Sequence, residues 1–453
     1  MSEVLQDGHT GSVLCVDVTH DGSKIVSGGE NGELCIWNSN SSFINKVTIQ
    51  DTDCTSVSTS KENEFLIYAS FDDQIKIFDL RNFSEAVEDY SVNQEEINQI
   101  VVDEKEKFLA ACDDSGEIKI LDLKDKKVFK TLRHKHTNIC ASVCFRPRKP
   151  WEVVTGGLDC KLIHWDFSRP KCLNQFNMQE LQNINPDGGA YMVNPPFIHN
   201  LATSVDGHYL AGALENGIVA IFDMSRKYIS ELFSLHAHSQ GASQVHFLNE
   251  SSLVSGGNDC CIVLWDLSKS NQADNTSQNG GAHSNGTSNG TSNGTSNGHS
   301  NPYEVRNENI SEVCKIQEIQ HTGKINWMKP FRLNGQQKLV IGDQTSNLTV
   351  LDLQGSVAGI TLNTVNSHYE QPYAFIQNLI PQDCTRDIAL QEFNVKPCLI
   401  EIMYTATLAF LLFFIVLTVP ESDFSETESD LGKNYPALTC FMKDVTKRKK
   451  KKS

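Results

Sequence analysis

Residues 136–166 read HTNICASVCFRPRKPWEVVTGGLDCKLIHWD, and this stretch decides the fold. It contains three short runs in which apolar and small polar side chains alternate, at residues 141–145, 152–155 and 161–165. Turn-forming Pro, Gly and Asp residues separate the runs. Short alternating runs bounded by such residues are typical of antiparallel β-strands. The stretch therefore predicts three consecutive strands of one sheet.

The hydrophobic–acidic pair that ends this stretch recurs along the chain. Seven such pairs, or equivalents of them, follow apolar runs: Trp37-Asn38, Phe78-Asp79, Leu121-Asp122, Trp165-Asp166, Phe222-Asp223, Trp265-Asp266 and Leu351-Asp352. Most neighbouring pairs lie about 43 residues apart, which is the length of a four-stranded propeller blade. The two longer gaps hold inserts, residues 177–196, rich in Asn, Pro and Gly, and residues 270–311, built of Ser-Asn-Gly-Thr units. The sequence therefore predicts an all-β fold, a seven-bladed β-propeller over residues 1–353.

Four residues of the opening stretch resemble the buried, hydrogen-bonded tetrad of the WD-repeat family: His136, Thr155, Asp159 and Trp165. The sixth repeat carries the same set: His238, Ser255, Asp259 and Trp265. In that family the turn Asp holds the His, the His reaches the hydroxyl, and the hydroxyl reaches the indole N–H. The resemblance implies that these side chains are structural, and their recurrence at the blade period favours this over a catalytic or metal-binding role.

The other repeats carry less of the tetrad. The first keeps His9, Ser27 and Trp37 but has Glu30-Asn31 where the Asp is expected. The second and third keep Asp73 and Asp114 without the His and Trp, and the fifth and seventh depart further. The family resemblance also implies that residues 2–6 form the last strand of the final blade, beside residues 347–353. Such closure removes an exposed sheet edge.

The composition limits the functional classes to which the protein can belong. The 453 residues have a formal net charge of −17, which argues against broad nucleic-acid binding. Most of the fourteen cysteines fall in strand patterns without paired metal-ligand spacing, so we expect reduced thiols, no metal and no cofactor. The N-terminus has neither a basic nor an apolar signal region. These features predict a cytoplasmic or nuclear protein, with a monomeric propeller.

Residues 67–81 read IYASFDDQIKIFDLR and provide the strongest functional motif. The stretch is similar to a box in WD-repeat receptors that bind the adaptor of cullin-four RING ubiquitin ligases, whose diagnostic end is here Phe78, Asp79 and Arg81. An Arg beyond the strand end is a planar donor for carboxylates or carbonyls of a partner. Residues 121–124, Leu-Asp-Leu-Lys, are a weaker copy in the next blade.

A receptor also needs a surface for its cargo, and the insert at residues 177–196 is a candidate. It offers apolar anchors at its end: Tyr191, Met192, Pro195, Pro196 and Phe197. An ordinary irregular loop is the alternative interpretation, and the cargo is unknown. The tract at residues 270–311 is predicted to be disordered, joining the third strand of one blade to the outer strand of the next.

The C-terminal extension does not fit the propeller. An irregular linker is predicted for residues 354–397, a candidate membrane helix for 398–420 and a charged tail for 421–453. The uncharged core of the helix, residues 402–419, is barely long enough to cross a bilayer. Three interpretations stay open: a tail anchor, a soluble extension, or a non-native extension from an alternative transcript or faulty gene model.

These observations predict a non-catalytic protein-interaction scaffold rather than an enzyme. No nucleophile elbow, phosphate-binding loop or metal cluster stands out in the sequence. With the family resemblance added, the expected function is that of a substrate receptor of a cullin-four RING ligase, with the ligase adaptor and a cargo as partners. The alternative is a WD-repeat scaffold of another multiprotein complex.

Overall fold

The computed structural model describes residues 2–40, 42–181, 184, 195–270 and 309–353. The chain divides into two units, Met1–Thr361 and Leu362–Ser453, and every described residue belongs to the first. The predicted linker, membrane helix and charged tail lie outside the described residues, as does most of both inserts. None of the helices in the described part is long and apolar enough to cross a membrane.

The described residues form seven antiparallel sheets of four strands each. Each sheet is a blade, and its strands are given from the ring centre outwards. Blade 1 contains β2 (Val13–Val18), β3 (Lys24–Gly29), β4 (Glu33–Asn38) and β5 (Ser42–Thr48). Blade 2 contains β6 (Cys54–Thr59), β7 (Leu66–Phe71), β8 (Gln74–Asp79) and β9 (Glu88–Ser91). Blade 3 contains β10 (Ile97–Val102), β11 (Phe108–Asp113), β12 (Ile118–Asp122) and β13 (Lys127–Leu132).

The remaining four blades follow the same order along the chain. Blade 4 contains β14 (Cys140–Phe145), β15 (Glu152–Gly157), β16 (Lys161–Asp166) and β17 (Lys171–Asn177). Blade 5 contains β18 (Ile198–Thr203), β19 (Tyr209–Leu214), β20 (Ile218–Asp223) and β21 (Ser230–His236). Blade 6 contains β22 (Ala242–Phe247), β23 (Ser252–Gly257), β24 (Cys261–Asp266) and β25 (Lys315–Gln320). Blade 7 contains β26 (Ile325–Leu333), β27 (Gln336–Asp343), β28 (Leu348–Asp352) and β1 (Ser2–Leu5).

The seven-bladed propeller predicted from the sequence is confirmed. All seven hydrophobic–acidic pairs end the third strand of their blade. The innermost strands of consecutive blades lie against one another, and β26 of blade 7 lies against β2 of blade 1. Three short 3-10 turns, Glu30–Gly32, Met178–Glu180 and Leu267–Lys269, interrupt the strand pattern, and residues 309–314 are helical.

Strand β1 closes the ring, as expected from the family resemblance. It pairs antiparallel with β28, with Ser2 opposite Leu351 and Leu5 opposite Leu348. Leu5 is fully buried and packs with Trp37 of blade 1 in one core cluster. The N-terminus therefore completes blade 7 with a strand from the other end of the sequence.

The hydrophobic core lies between neighbouring blades. One cluster joins Val154 and Leu162 of blade 4 to Leu210 and Phe222 of blade 5. Since each sheet is covered on both faces by its neighbours, five of the six residues in each of the middle strands β15 and β19 are buried. Packing therefore couples each blade to the next one around the ring.

Buried polar side chains also tie the innermost strands together. Ser142 Oγ of blade 4 accepts from the Leu201 N–H of blade 5 at 2.9 Å and donates to Gln99 Oε1 of blade 3 at 2.8 Å. Asn200 Oδ1 of blade 5 accepts from the Val245 N–H of blade 6 at 3.1 Å. A polar side chain on one innermost strand thus accepts a hydrogen bond from a backbone N–H of the neighbouring innermost strand. That N–H points away from the sheet to which it belongs.

The position predicted for the Ser-Asn-Gly-Thr tract is wrong. The tract was expected to lead into the outer strand of the next blade. Instead it lies between β24 and β25, which pair in the same sheet with Cys261 opposite Gln320. Blade 6 can accept an insert here because β25, which follows the tract in the sequence, still pairs with the outer edge of β24.

Candidate functional site

The motif residues of blade 2 lie where β8 ends. Phe78 is fully buried and packs against the rings of Phe71 and Phe83, at 6.2 and 5.6 Å between centroids. It therefore anchors the strand end in the core and has no surface to offer a partner. Asp79 and Arg81 follow it on the outside of the blade.

Arg81 is held by Asp79 rather than extended into solvent. Its Nε donates to Asp79 Oδ1 at 2.9 Å and its Nη2 donates to Oδ2 at 2.5 Å. The Arg81 N–H also donates to Oδ1, at 2.9 Å. These hydrogen bonds lower the pKa of Asp79 to about 2. The side-chain bonds from Arg81 contribute most and the backbone bond contributes less. The pair is therefore charged on both sides throughout the physiological pH range.

The guanidinium also lies over the ring of Phe65, 4.8 Å from its centroid. The Arg81 side chain remains 62% exposed. Among the described residues its Nη1 makes no hydrogen bond, so this nitrogen can donate to a partner. Two hydrogen bonds and one ring contact pre-orient the group and reduce the side-chain entropy that a partner must overcome.

The weaker copy in blade 3 has a different geometry. Lys124 is exposed, and its backbone N–H donates to Asp122 Oδ1 at 3.1 Å. No side-chain ion pair joins the two within the described residues. Lys124 is therefore a mobile point charge at the position where blade 2 carries a fixed planar donor.

The tetrad of blade 4 forms a continuous hydrogen-bonded chain. Asp159 Oδ1 accepts from His136 Nδ1 at 3.0 Å, so the His136 Nε2 accepts from the Thr155 hydroxyl at 2.8 Å. The Trp165 indole N–H donates to Thr155 Oγ1 at 2.9 Å. Burial opposes ionisation of Asp159, but hydrogen bonds led by that from His136 outweigh it and hold its pKa below the usual value.

Blade 6 repeats this arrangement. His238 lies 3.0 Å from Asp259 and 2.9 Å from Ser255, and the Trp265 indole donates to Ser255 Oγ at 3.0 Å. Burial opposes ionisation of Asp259, but its hydrogen bonds and its charge interaction with His238 together outweigh desolvation and lower its pKa to about 2. In both blades the side chains satisfy one another inside the protein.

Blade 1 contains a tetrad with a different acid from the one the sequence indicated. His9 Nε2 lies 2.7 Å from Ser27 Oγ, and the Trp37 indole donates to the same hydroxyl at 2.8 Å. The carboxylate facing His9 Nδ1, at 3.5 Å, belongs to Glu33. Glu30, which the alignment of repeats placed there, instead accepts from the Ser12 N–H. A longer side chain three residues further on thus fills the place of the Asp.

Two further His–carboxylate pairs were missed by sequence reasoning. His199 Nε2 lies 2.6 Å from Glu215 in blade 5, and His321 Nε2 lies 2.7 Å from Asp343 in blade 7. His321 lies before the innermost strand β26, as the tetrad His does, and Asp343 ends the second strand β27. His199 instead lies within the innermost strand β18, and Glu215 directly follows the second strand β19. Their signal in the sequence was a His near the start of the innermost strand and an acid at the end of the second strand.

The proposed cargo face is only partly described. Tyr191 and Met192 lie outside the described residues. Pro196 is buried, and Phe197 packs against the core cluster between blades 4 and 5. The part of the insert that is described therefore contributes to blade packing, and whether it binds cargo stays a prediction.

Within the described residues no group of three or more His, Cys, Asp or Glu side chains is placed to hold a metal ion. The cysteines of these residues are free thiols. Burial raises the pKa of Cys144 and of Cys314 to about 12. Such thiols are poor nucleophiles and poor metal ligands at neutral pH.

Comparison with known proteins gives the same assignment. The WD40 family pattern, "WD domain, G-beta repeat", matches residues 2–38, 126–166 and 229–266. A WD repeat-containing protein 53 homolog from Dictyostelium discoideum is 33% identical over 285 residues, 58% of this chain and 77% of that protein. The chain belongs to the WD-repeat family. Its propeller is therefore of a type that typically serves as a protein-interaction scaffold without catalytic activity.

Other relatives share a smaller part of their length. Protein SUPPRESSOR OF PHYA-105 1 from Arabidopsis thaliana is 25% identical over 226 residues, 48% of this chain and 20% of that protein. Protein transport protein SEC31 from Kluyveromyces lactis is 30% identical over 131 residues, 28% of this chain and 10% of that protein. With so little of these proteins covered, their similarity is evidence for the repeat alone.

Proposed function

We propose that this WD-repeat propeller is a substrate receptor of a cullin-four RING ubiquitin ligase and that blade 2 contacts the ligase adaptor. The observation that carries the proposal is the exposed Arg81 guanidinium, fixed by Asp79 at the end of β8. This arrangement supplies a pre-oriented planar donor at the place where the aromatic–Asp–x–Arg motif ends.

The Asp79–Arg81 pair limits what the adaptor can offer in return. Because the carboxylate already neutralises much of the Arg81 charge, a backbone carbonyl or a polar side chain at Nη1 is a sufficient partner. Contact would bury the Phe65 ring beneath the guanidinium and thereby strengthen the cation–π interaction. The expected contribution is that of an anchor at the rim of a larger interface.

The test compares recovery of the adaptor with wild-type protein, Arg81→Ala, Arg81→Lys and Lys124→Ala. Arg81 and Lys124 are both exposed, so none of the variants disturbs the core. We expect Arg81→Ala to lose most of the adaptor and Lys124→Ala to retain it. Arg81→Lys should also be weak because it keeps the charge but not the bidentate fork.

Equal recovery of the adaptor from wild type and Arg81→Ala would remove Arg81 from the interface. Absence of the adaptor from every sample, with other proteins recovered stoichiometrically, would favour the alternative of a scaffold in a complex unrelated to ubiquitin. Phe78 is unsuitable as a test residue because it is fully buried, and its substitution would weaken blade 2 itself.

A further inference from the structure

Exposed apolar side chains concentrate on one face of the propeller. In antiparallel blades, the turns after the first and third strands emerge on the same side. This side carries Arg81 and is here called the Arg81 face. Six of the exposed large apolar side chains lie in these turns or next to them: Phe43, Val87, Val128, Trp151, Val205 and Tyr228. Such a concentration is typical of a protein-binding surface.

Trp151 is the most rigid of these groups. Its indole is packed against Phe108 at 5.6 Å and Phe129 at 6.0 Å, yet the residue is 38% exposed. The ammonium of Lys107 lies 5.3 Å from the Trp151 ring and 4.9 Å from that of Phe108. A large aromatic ring fixed on the surface beside a cation is an anchor of the kind found at interface hot spots.

The turns around Trp151 are strongly basic in an acidic protein. Residues 146–151, 167–171 and 224–228 read RPRKPW, FSRPK and MSRKY, and they contain no Asp or Glu. All the Arg and Lys side chains of these turns other than Arg146 are exposed, and none is ion-paired within the described residues. The surrounding chain has a net charge of −17. Asp166, Asp223 and Glu152 adjoin these turns, but the six exposed cations outnumber the three carboxylates, so the patch carries a net positive charge.

Arg146 holds two of these turns together. Its side chain is 1% exposed and its Nη1 donates to Glu152 Oε2 at 2.6 Å. Its guanidinium also donates to the carbonyls of Met224, Arg226 and Lys227 in the next blade. The backbone of the blade 5 turn that carries Arg226 and Lys227 is thus fixed beside the blade 4 turn before any partner arrives. Pre-organisation of this kind lowers the entropy cost of binding.

We propose that the surface formed by the 146–151, 167–171 and 224–228 turns binds an extended acidic segment of a partner protein, which places an apolar side chain on Trp151. Charge complementarity selects this occupant. A nucleic acid would extend beyond the patch, where the negative charges of the acidic protein repel it. A short segment stays close to the basic side chains, which attract it over a Debye length of about 8 Å. The site is in blades 4 and 5, so it does not depend on adaptor binding by Arg81.

The test measures fluorescence anisotropy of a labelled synthetic peptide titrated with the full chain. The peptide has one Phe flanked by Asp and Glu, and its length of about ten residues spans about 33 Å when extended. The test variant is Arg148→Glu/Lys149→Glu. The matched control is Lys135→Glu/Lys324→Glu, which makes the same charge change at exposed sites on the opposite face.

We expect the affinity for the peptide to fall about tenfold or more in the test variant, which corresponds to about 1.4 kcal/mol. The control variant should bind like wild type. Replacing the peptide Phe by Ala, or Trp151 by Ala, should also weaken binding. If Trp151→Ala does not fold, the Arg148→Glu/Lys149→Glu variant still tests the proposal. Lack of peptide binding by wild type, or an equal loss in the control, would overturn the proposal. Tighter binding of a single-stranded oligonucleotide at the same turns would overturn it in favour of nucleic acid.

Discussion

The Thr155 hydroxyl is the centre of the blade 4 tetrad, and replacing it with a methyl group isolates its energetic role. In Thr155→Val the side chain keeps its shape, so no cavity forms. The substitution removes the acceptor of the Trp165 indole N–H, at 2.9 Å, and the donor to His136 Nε2, at 2.8 Å. All three side chains are buried, so water cannot replace the lost hydroxyl.

Each buried group left without a partner costs about 1–3 kcal/mol, so Thr155→Val should lower the free energy of unfolding by about 2–5 kcal/mol. The matched control is Thr155→Ser, which keeps the hydroxyl as Ser255 does in blade 6. It loses one buried methyl group, worth about 1 kcal/mol. Thr155→Val preserves the shape of the side chain better than Thr155→Ser, but we expect it to lower the stability more.

The assay is urea unfolding of wild type and both variants at pH 7, followed by intrinsic fluorescence. We expect the order of stability to be wild type, then Thr155→Ser, then Thr155→Val. If the Val variant were as stable as the Ser variant, the hydrogen-bonded tetrad would contribute nothing beyond packing, and the reasoning would be refuted.

Three other predictions concern the ring and its buried polar groups. Deletion of residues 2–5 removes β1 and exposes the β28 edge. We expect a lower melting temperature and self-association in size-exclusion chromatography. An unchanged melting temperature and elution volume would contradict ring closure by this strand. Ser142→Ala leaves the Leu201 N–H without its acceptor, which should cost about 1–3 kcal/mol and accelerate hydrogen exchange at that amide; unaltered exchange would argue against the contact. Burial lowers the pKa of His9 from 6.5 to about 4. Between these values the unfolded chain binds a proton that the folded chain does not, so stability should decrease as pH falls through this window, and less so in His9→Gln; identical pH slopes in urea unfolding would contradict this.

The blade count was predictable from the sequence because it depends on local, repeated signals, whereas the ring closure followed from the family resemblance. A strand, its turn and the terminal hydrophobic–acidic pair lie close together in the chain and recur at one period. The full tetrads of blades 4 and 6 were predictable for the same reason, since His136, Thr155, Asp159 and Trp165 fall within one repeat. Departures within a repeat, such as Glu30-Asn31 where the Asp was expected in blade 1, broke that signal.

Features that depend on the pairing of distant strands or on side-chain orientation were not predictable in this way. The sequence placed the Ser-Asn-Gly-Thr tract before the outer strand of the wrong blade because only the pairing of β24 with β25 shows which sheet the distant strand enters. The motif placed Arg81 beyond the strand end as a planar donor, but it did not indicate that Arg81 is bound to Asp79 and lies over Phe65, a residue from another turn.

The amino-acid sequence by itself determined the repeat and the number of blades, and the family resemblance of its motifs added the strand that seals the ring and the residues of two tetrads. Only the tertiary structure decided which carboxylate faces His9, how Arg81 is oriented, and that Arg146 joins basic turns of two blades around an exposed Trp151. The physical reason is that periodic patterns record the strands and turns of each blade. Which side chains meet across a turn or between blades depends on side-chain lengths and turn geometry that residue spacing does not encode.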